Sequence, residues 1–93
     1  QVYTQQQLYV EALKHDPKNA HAWNNLGTTT PPGKSATVNG QVFTKQQLFV
    51  EALKHNPQYA KSWRNLGDVI PAGKRVAVNG NVYTKEECLA RGT

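Results

Sequence analysis

The chain has 93 residues, 38% of them hydrophobic and 18% charged, with 11 Lys and Arg against 6 Asp and Glu, a formal net charge of +5. This composition excludes a collagen-like chain, a disulfide scaffold and a strongly charged disordered chain. No apolar run approaches the ~20 residues of a membrane span, and Gln1-Val2-Tyr3-Thr4 has neither the basic nor the apolar stretch of a signal peptide. The first residue is Gln, not Met, so the expectation is a fragment of a longer protein. The single cysteine, Cys88, has no internal disulfide partner. That fits a reducing, intracellular compartment better than a secreted one. A chain this short buries only ~60 to 65% of its unfolded surface, so its core is thin.

The sequence repeats. Gln1–Gly40 aligns with Gln41–Gly80 without a gap, and 24 of the 40 aligned positions are identical. Asn81–Thr93 starts a third copy that degrades after Glu87, with Arg91-Gly92-Thr93 where the second copy has Glu51-Ala52-Leu53. The expected organisation is a single array made of repeats 1–40 and 41–80 and a partial repeat 81–93.

Each copy reads consistently along the chain. Gln1–Thr4 resembles the second strand of a hairpin. Thr4, Thr44 and Thr84 are candidate helix N-caps, and Gln7, Gln47 and Glu87 three residues on complete capping boxes. Tyr3 with Leu8, and Phe43 with Leu48, occupy hydrophobic-staple positions. Leu8, Tyr9, Ala12 and Leu13 form an apolar helical face, as do Leu48, Phe49, Ala52 and Leu53. Val10 and Val50 lie off it, which calls for a second packing surface, the hairpin or the next copy. Pro17 and Pro57 end these helices at Asp16 and Asn56. A shorter helix follows, about 19–28 and 59–69, with the apolar edges Trp23/Leu26 and Trp63/Leu66. Pro31-Pro32-Gly33 and Pro71-Ala72-Gly73 stop it. Asn39-Gly40 and Asn79-Gly80 stand between β-formers (35–38 with 41–44, 75–78 with 81–84) and predict type I′ hairpins. Gly92 is a poor place to continue a helix.

Several of these residues together resemble the tetratricopeptide repeat. Trp23-Asn24-Asn25-Leu26-Gly27 and Trp63-Arg64-Asn65-Leu66-Gly67 match the family's first helix. Tyr9, Ala12, Pro17 and Phe49, Ala52, Pro57 match its second helix and the following turn. The period of 40 exceeds the family's 34-residue unit by six, and the surplus falls between Gly27 and Phe49. Thr30 and Ile70 stand where the family has Tyr, and Gln5 and Lys45 where it prefers Ala. The resemblance implies an α+β fold: a tetratricopeptide-like helical array, or solenoid, with a β-hairpin inserted between the two helices of each repeat. It implies packing roles for Trp23 and Trp63. It also implies a concave face lined by polar positions of the shorter helices: His21, Asn24, Asn25 and Thr28, then Lys61, Arg64, Asn65 and Asp68. Within the chain this face changes between copies while the framework stays, as a variable binding face would; drift on a solvated surface looks the same. Some family members hold a partner's terminal carboxylate. Asn25 and Lys61 lie at matching positions, but Asn65 stands where an Arg is wanted.

No catalytic or metal constellation emerges. His15 and His55 repeat one period apart and sit near helix C-termini, where the dipole favours positive charge. With His21 they lack the close ligand pairs of a metal site. Cys88 takes the place of Leu8 and Leu48, a core position, with no base beside it. Glu11 and Glu51 are a full period apart, and Glu86-Glu87 belong to a first helical turn. The basic residues are spread out, without the arginine-rich stripe of a nucleic-acid binder. Neither a cofactor, a nucleic acid nor a membrane is expected as partner. The reading is therefore a non-enzymatic scaffold for a protein or peptide, with an acidic partner among the options. The alternative is a self-assembling structural repeat. Repeats of this kind gain stability from neighbours, and the open ends around Leu8 and Tyr9 and around the 82–84 strand predict a homo-oligomer, by stacking or by exchange of a terminal element.

Overall fold

A computed structural model describes residues 3–93. In chain order they form α1 (Gln5–His15), α2 (Ala20–Thr29), β1 (Ser35–Val38), β2 (Gln41–Thr44), α3 (Lys45–His55), α4 (Ala60–Val69), β3 (Arg75–Val78), β4 (Asn81–Thr84) and α5 (Lys85–Arg91). The proposed strand at Gln1-Val2 lies outside the described residues, and Tyr3 and Thr4 belong to no strand.

Local chemistry accounts for the element ends. All three capping boxes form: the hydroxyls of Thr4, Thr44 and Thr84 accept from the backbone N–H three residues on, and Gln7, Gln47 and Glu87 accept in return from the cap N–H. Each box satisfies two amides that a helix start leaves orphaned. The shorter helices begin one residue later than expected, because Asn19 serves as a cap and accepts from the Ala22 N–H. Tyr59, at the matching position, makes no side-chain cap bond. Asn39 and Gly40 have φ of +50° and +83°, and Asn79 and Gly80 +51° and +86°, as a type I′ turn requires. The registers Val38↔Gln41 and Val78↔Asn81 close two antiparallel hairpins, which remain separate two-stranded sheets.

Each helix packs on its neighbour in the chain, α1 on α2, α2 on α3, α3 on α4 and α4 on α5, in a body of 43 × 24 × 23 Å. The hairpins cover the longer helices, β1 against α1 and β3 against α3. That is the second packing surface for the off-face valines. Val10 packs on a cluster of Leu13, Trp23, Leu26, Ala36, Val38, Phe43 and Leu48. Val50 packs on the matching cluster around Leu53, Trp63, Leu66, Val76 and Val78. Phe43 meets Trp23 edge-on at 5.0 Å and Tyr83 meets Trp63 at 4.9 Å, geometry favoured by the ring quadrupoles. Tyr3 and Leu8 are both about half exposed, so the first staple position does not close a core as the second does.

Candidate functional site

Both tryptophans are core residues. Each buries its ring and donates its indole N–H across the turn, Trp23 to the Pro17 carbonyl at 2.7 Å and Trp63 to the Pro57 carbonyl at 2.8 Å. This leaves the polar positions of α2 and α4 as candidate contacts. His21, Asn24, Asn25 and Thr28 follow the i, i+3, i+4, i+7 pattern on α2, and Lys61, Arg64, Asn65 and Asp68 follow it on α4, so each set lies on one helical stripe.

The structure separates these residues. His21 is exposed, and its Nδ1 lies 2.8 Å from the Tyr59 hydroxyl with the two rings stacked, so it bridges from α2 to the cap of α4. Thr28, Lys61, Arg64 and Asp68 are exposed, and Asn25 and Asn65 are half-buried. The Thr28 hydroxyl donates to the Asn25 carbonyl at 2.7 Å. Asn24 is not on the open surface: it is 3% exposed. Its Oδ1 accepts from the Ser62 hydroxyl at 2.9 Å and from the Asn65 amide at 3.0 Å. Asn24 therefore joins α2 to α4, and leaving it unpaired would cost ~1–3 kcal/mol. The neighbouring pair Ala22 and Ser62 differ in the same way: only the second copy supplies the hydroxyl that Asn24 needs.

Among the described residues Lys61 and Arg64 enter no ion pair, unlike Lys14 with Glu11 at 2.9 Å and Lys54 with Glu51 at 2.8 Å. Their charges are thus available on the surface. Asp68 lies at one edge of a cleft of about 720 Å³ that also takes in Pro32, Lys34, Val42 and Val69. No group of three or more His, Cys, Asp or Glu able to hold a metal occurs among the described residues. Among them, too, no helix is long and apolar enough to cross a membrane.

Two lysines have a structural role that the sequence did not disclose: Lys45, which read only as a departure from the family pattern, and Lys85 at the matching position of the third copy. Lys45 Nζ donates to the carbonyls of Gly27 at 2.7 Å and Thr30 at 2.8 Å, at the C-terminal end of α2. Lys85 does the same for Gly67 at 2.6 Å and Ile70 at 2.9 Å on α4. A cation at the negative end of a helix also satisfies carbonyls that have no partner within it. Partial burial holds the Lys45 ammonium below its ordinary pKa. The turn asparagines reach further than their turns: Asn39 donates to the Leu13 carbonyl at 3.3 Å and Asn79 to the Leu53 carbonyl at 3.0 Å. The recurrence of Lys and Asn at a 40-residue interval was the available signal; their targets lie 15–26 residues away in sequence.

The helix α2, with Trp23-x2-Leu26-Gly27, is thus packed between the two longer helices α1 and α3. Residues 8–47 match a family model described as tetratricopeptide repeat. The segment runs from α1 through α2 and the first hairpin into α3, and it is tetratricopeptide-like. No curated protein and no solved structure matches the chain. Repeats of this family are typically non-enzymatic interaction modules, and the α+β mixture of five helices and two hairpins among the described residues is consistent with that fold.

Proposed function

We propose that this chain is a non-enzymatic, tetratricopeptide-like scaffold that holds a protein or peptide on the exposed polar stripe of α2 and α4. Its repeats are 1–40 and 41–80, with 81–93 opening a third, and each carries a hairpin inserted between its two helices in a solenoid. The observation that carries the reading is a contrast between the buried and the exposed positions of α2 and α4. Trp23/Trp63, Leu26/Leu66 and Gly27/Gly67 are the same in both copies and buried, whereas His21/Lys61 and Thr28/Asp68 differ and are exposed. Asn24/Arg64 also differ, but only Arg64 reaches solvent, so the partner contacts are His21, Asn25, Thr28, Lys61, Arg64, Asn65 and Asp68, without Asn24.

Lys61 and Arg64, which enter no ion pair among the described residues, and the net charge of +5 favour an acidic segment. A displayed peptide library selected on the chain, with the enriched peptides titrated by calorimetry, tests this. Acidic peptides are expected, and Lys61→Ala with Arg64→Ala should weaken them roughly tenfold, about 1.4 kcal/mol, at low salt. Enriched peptides that bind the double variant as tightly as the parent, or no enrichment at all, would refute the assignment.

A further inference from the structure

The polar stripe of α4 leads into the cleft at the C-terminal end of that helix. Asp68, the last member of the stripe, forms one wall with the half-buried Val69. The opposite wall is the first hairpin and the loop before it, with Pro32, Lys34, Val42 and Thr44. Both walls lie in the interior of the chain, with α3 between them in sequence. Strand alternation puts Val42 into the cleft: Ala36 and Phe43 pair on the core face of the hairpin, whereas Val42 pairs with Thr37 on the other and is 60% exposed. Pro32, Val42 and Val69 thus give the cleft an apolar lining. Its volume of about 720 Å³ falls within the ~300–1,000 Å³ of ordinary binding sites. Lys34 and Asp68, like Lys61 and Arg64, enter no ion pair among the described residues. The surroundings of the cleft therefore carry three such cations and one such anion.

We infer, resting on the peptide-binding reading of the α4 stripe, that this cleft seats an aliphatic side chain of the same extended peptide whose carboxylates meet Lys61 and Arg64. The side chains of Pro32, Val42 and Val69 offer no hydrogen bond, so a polar group pressed against them would lose water without replacement, whereas an aliphatic one gains by burial. The geometry of α4 sets the spacing. Lys61 and Asp68 are seven residues apart on the helix, ~10 Å along its axis at ~1.5 Å per residue. An extended peptide covers that distance in about three residues at ~3.3 Å each. The ligand therefore carries Asp or Glu opposite Lys61 and Leu, Ile or Val about three positions away, over Val42 and Val69. The Asp68 carboxylate at the mouth of the cleft repels a second carboxylate there, so the acidic and aliphatic positions do not exchange. The first copy has Thr28-Thr29 where the second has Asp68-Val69, so this register belongs to α4 and not to α2.

The displayed peptide library, selected in parallel on the parent, on Val42→Glu and on Val42→Thr and read position by position, tests this. In the parent Leu, Ile or Val should be enriched about three positions from an acidic residue. Replacing that aliphatic residue by Ala in a synthetic copy of an enriched peptide should weaken binding roughly tenfold. On Val42→Glu the acidic preference should persist, the aliphatic preference should vanish, and the effect of the Ala replacement should shrink to about twofold or less. Val42→Thr keeps the β-branched shape that suits a strand, so it should match the parent in circular dichroism and still reduce the aliphatic preference. Acidic peptides without an aliphatic preference in the parent, or an aliphatic preference that survives Val42→Glu, would overturn the inference and leave the stripe reading intact. A parent that enriches no acidic peptide would overturn both. Sedimentation showing a dimer that Val42→Glu dissolves would give the cleft to a second copy of the chain and overturn the inference alone.

Discussion

Replacing Gly27 by Ala tests the close approach of α2 and α3. In the interior of a solvated helix the change stabilises by ~1 kcal/mol, because glycine loses more backbone freedom on folding. Here an added Cβ would stand 2.6 Å from Phe49 Cε1 and 2.8 Å from its Cδ1, inside any ordinary carbon contact. Phe49 is fully buried and packs in the cluster of Leu53, Trp63 and Leu66, so its ring has no free space to turn into. Overpacking of this kind costs ~1–3 kcal/mol. Set against the propensity gain, the net expectation is a loss of about 1 kcal/mol, or about 4–8 °C in Tm for a domain of this size. Urea unfolding followed by the fluorescence of Trp23 and Trp63 measures it directly. In a Phe49→Leu background the same Gly27→Ala change should cost less, and the difference is the coupling between the two sites. A gain of ~1 kcal/mol in both backgrounds would show that propensity alone governs the position and that the helices do not meet there.

Two further perturbations probe parts that the sequence pattern did not explain. Lys45→Met keeps the aliphatic stem and removes the donor from the Gly27 and Thr30 carbonyls, so a loss of about 1–2 kcal/mol is expected in the same unfolding assay. Lys14→Met, which breaks only an exposed pair with Glu11, should cost less than about 0.5 kcal/mol; equal losses would deny Lys45 its capping role. Burial, reinforced by the Glu87 charge and opposed by Arg91, raises the Cys88 thiol above its ordinary value of 9.0. Because the folded state holds the proton more tightly, the stability contributed by the neutral thiol is complete below pH 9.0 and declines as the pH rises through the folded value. Stability measured from pH 8 to 11 should therefore fall more steeply for the parent than for Cys88→Ala. Parallel profiles would refute the shift.

What the sequence by itself determined is what a few adjacent residues decide. A threonine with Gln or Glu three residues on caps a helix wherever it stands, and Asn-Gly between β-formers turns in type I′ geometry, so helix starts and hairpins were legible to within a residue. Trp23 and Trp63 were legible as packing residues because they recur with Leu and Gly at fixed offsets. The tertiary structure alone decided where side chains reach across elements. Lys45 read as a departure from a small-residue preference until the end of the preceding shorter helix was brought to its ammonium group, and Lys85 makes the same contact one period on. Asn39 and Asn79 read as turn residues until their amides met Leu13 and Leu53. Asn24 belonged by spacing to the solvent stripe of α2, yet the approach of α4 buries it beneath Ser62 and Asn65. The physical reason is common to all of them: spacing along a helix specifies a direction around its axis, whereas burial depends on how closely the neighbouring helix comes. That distance is set by the summed packing of Gly27, Phe49 and the residues around them.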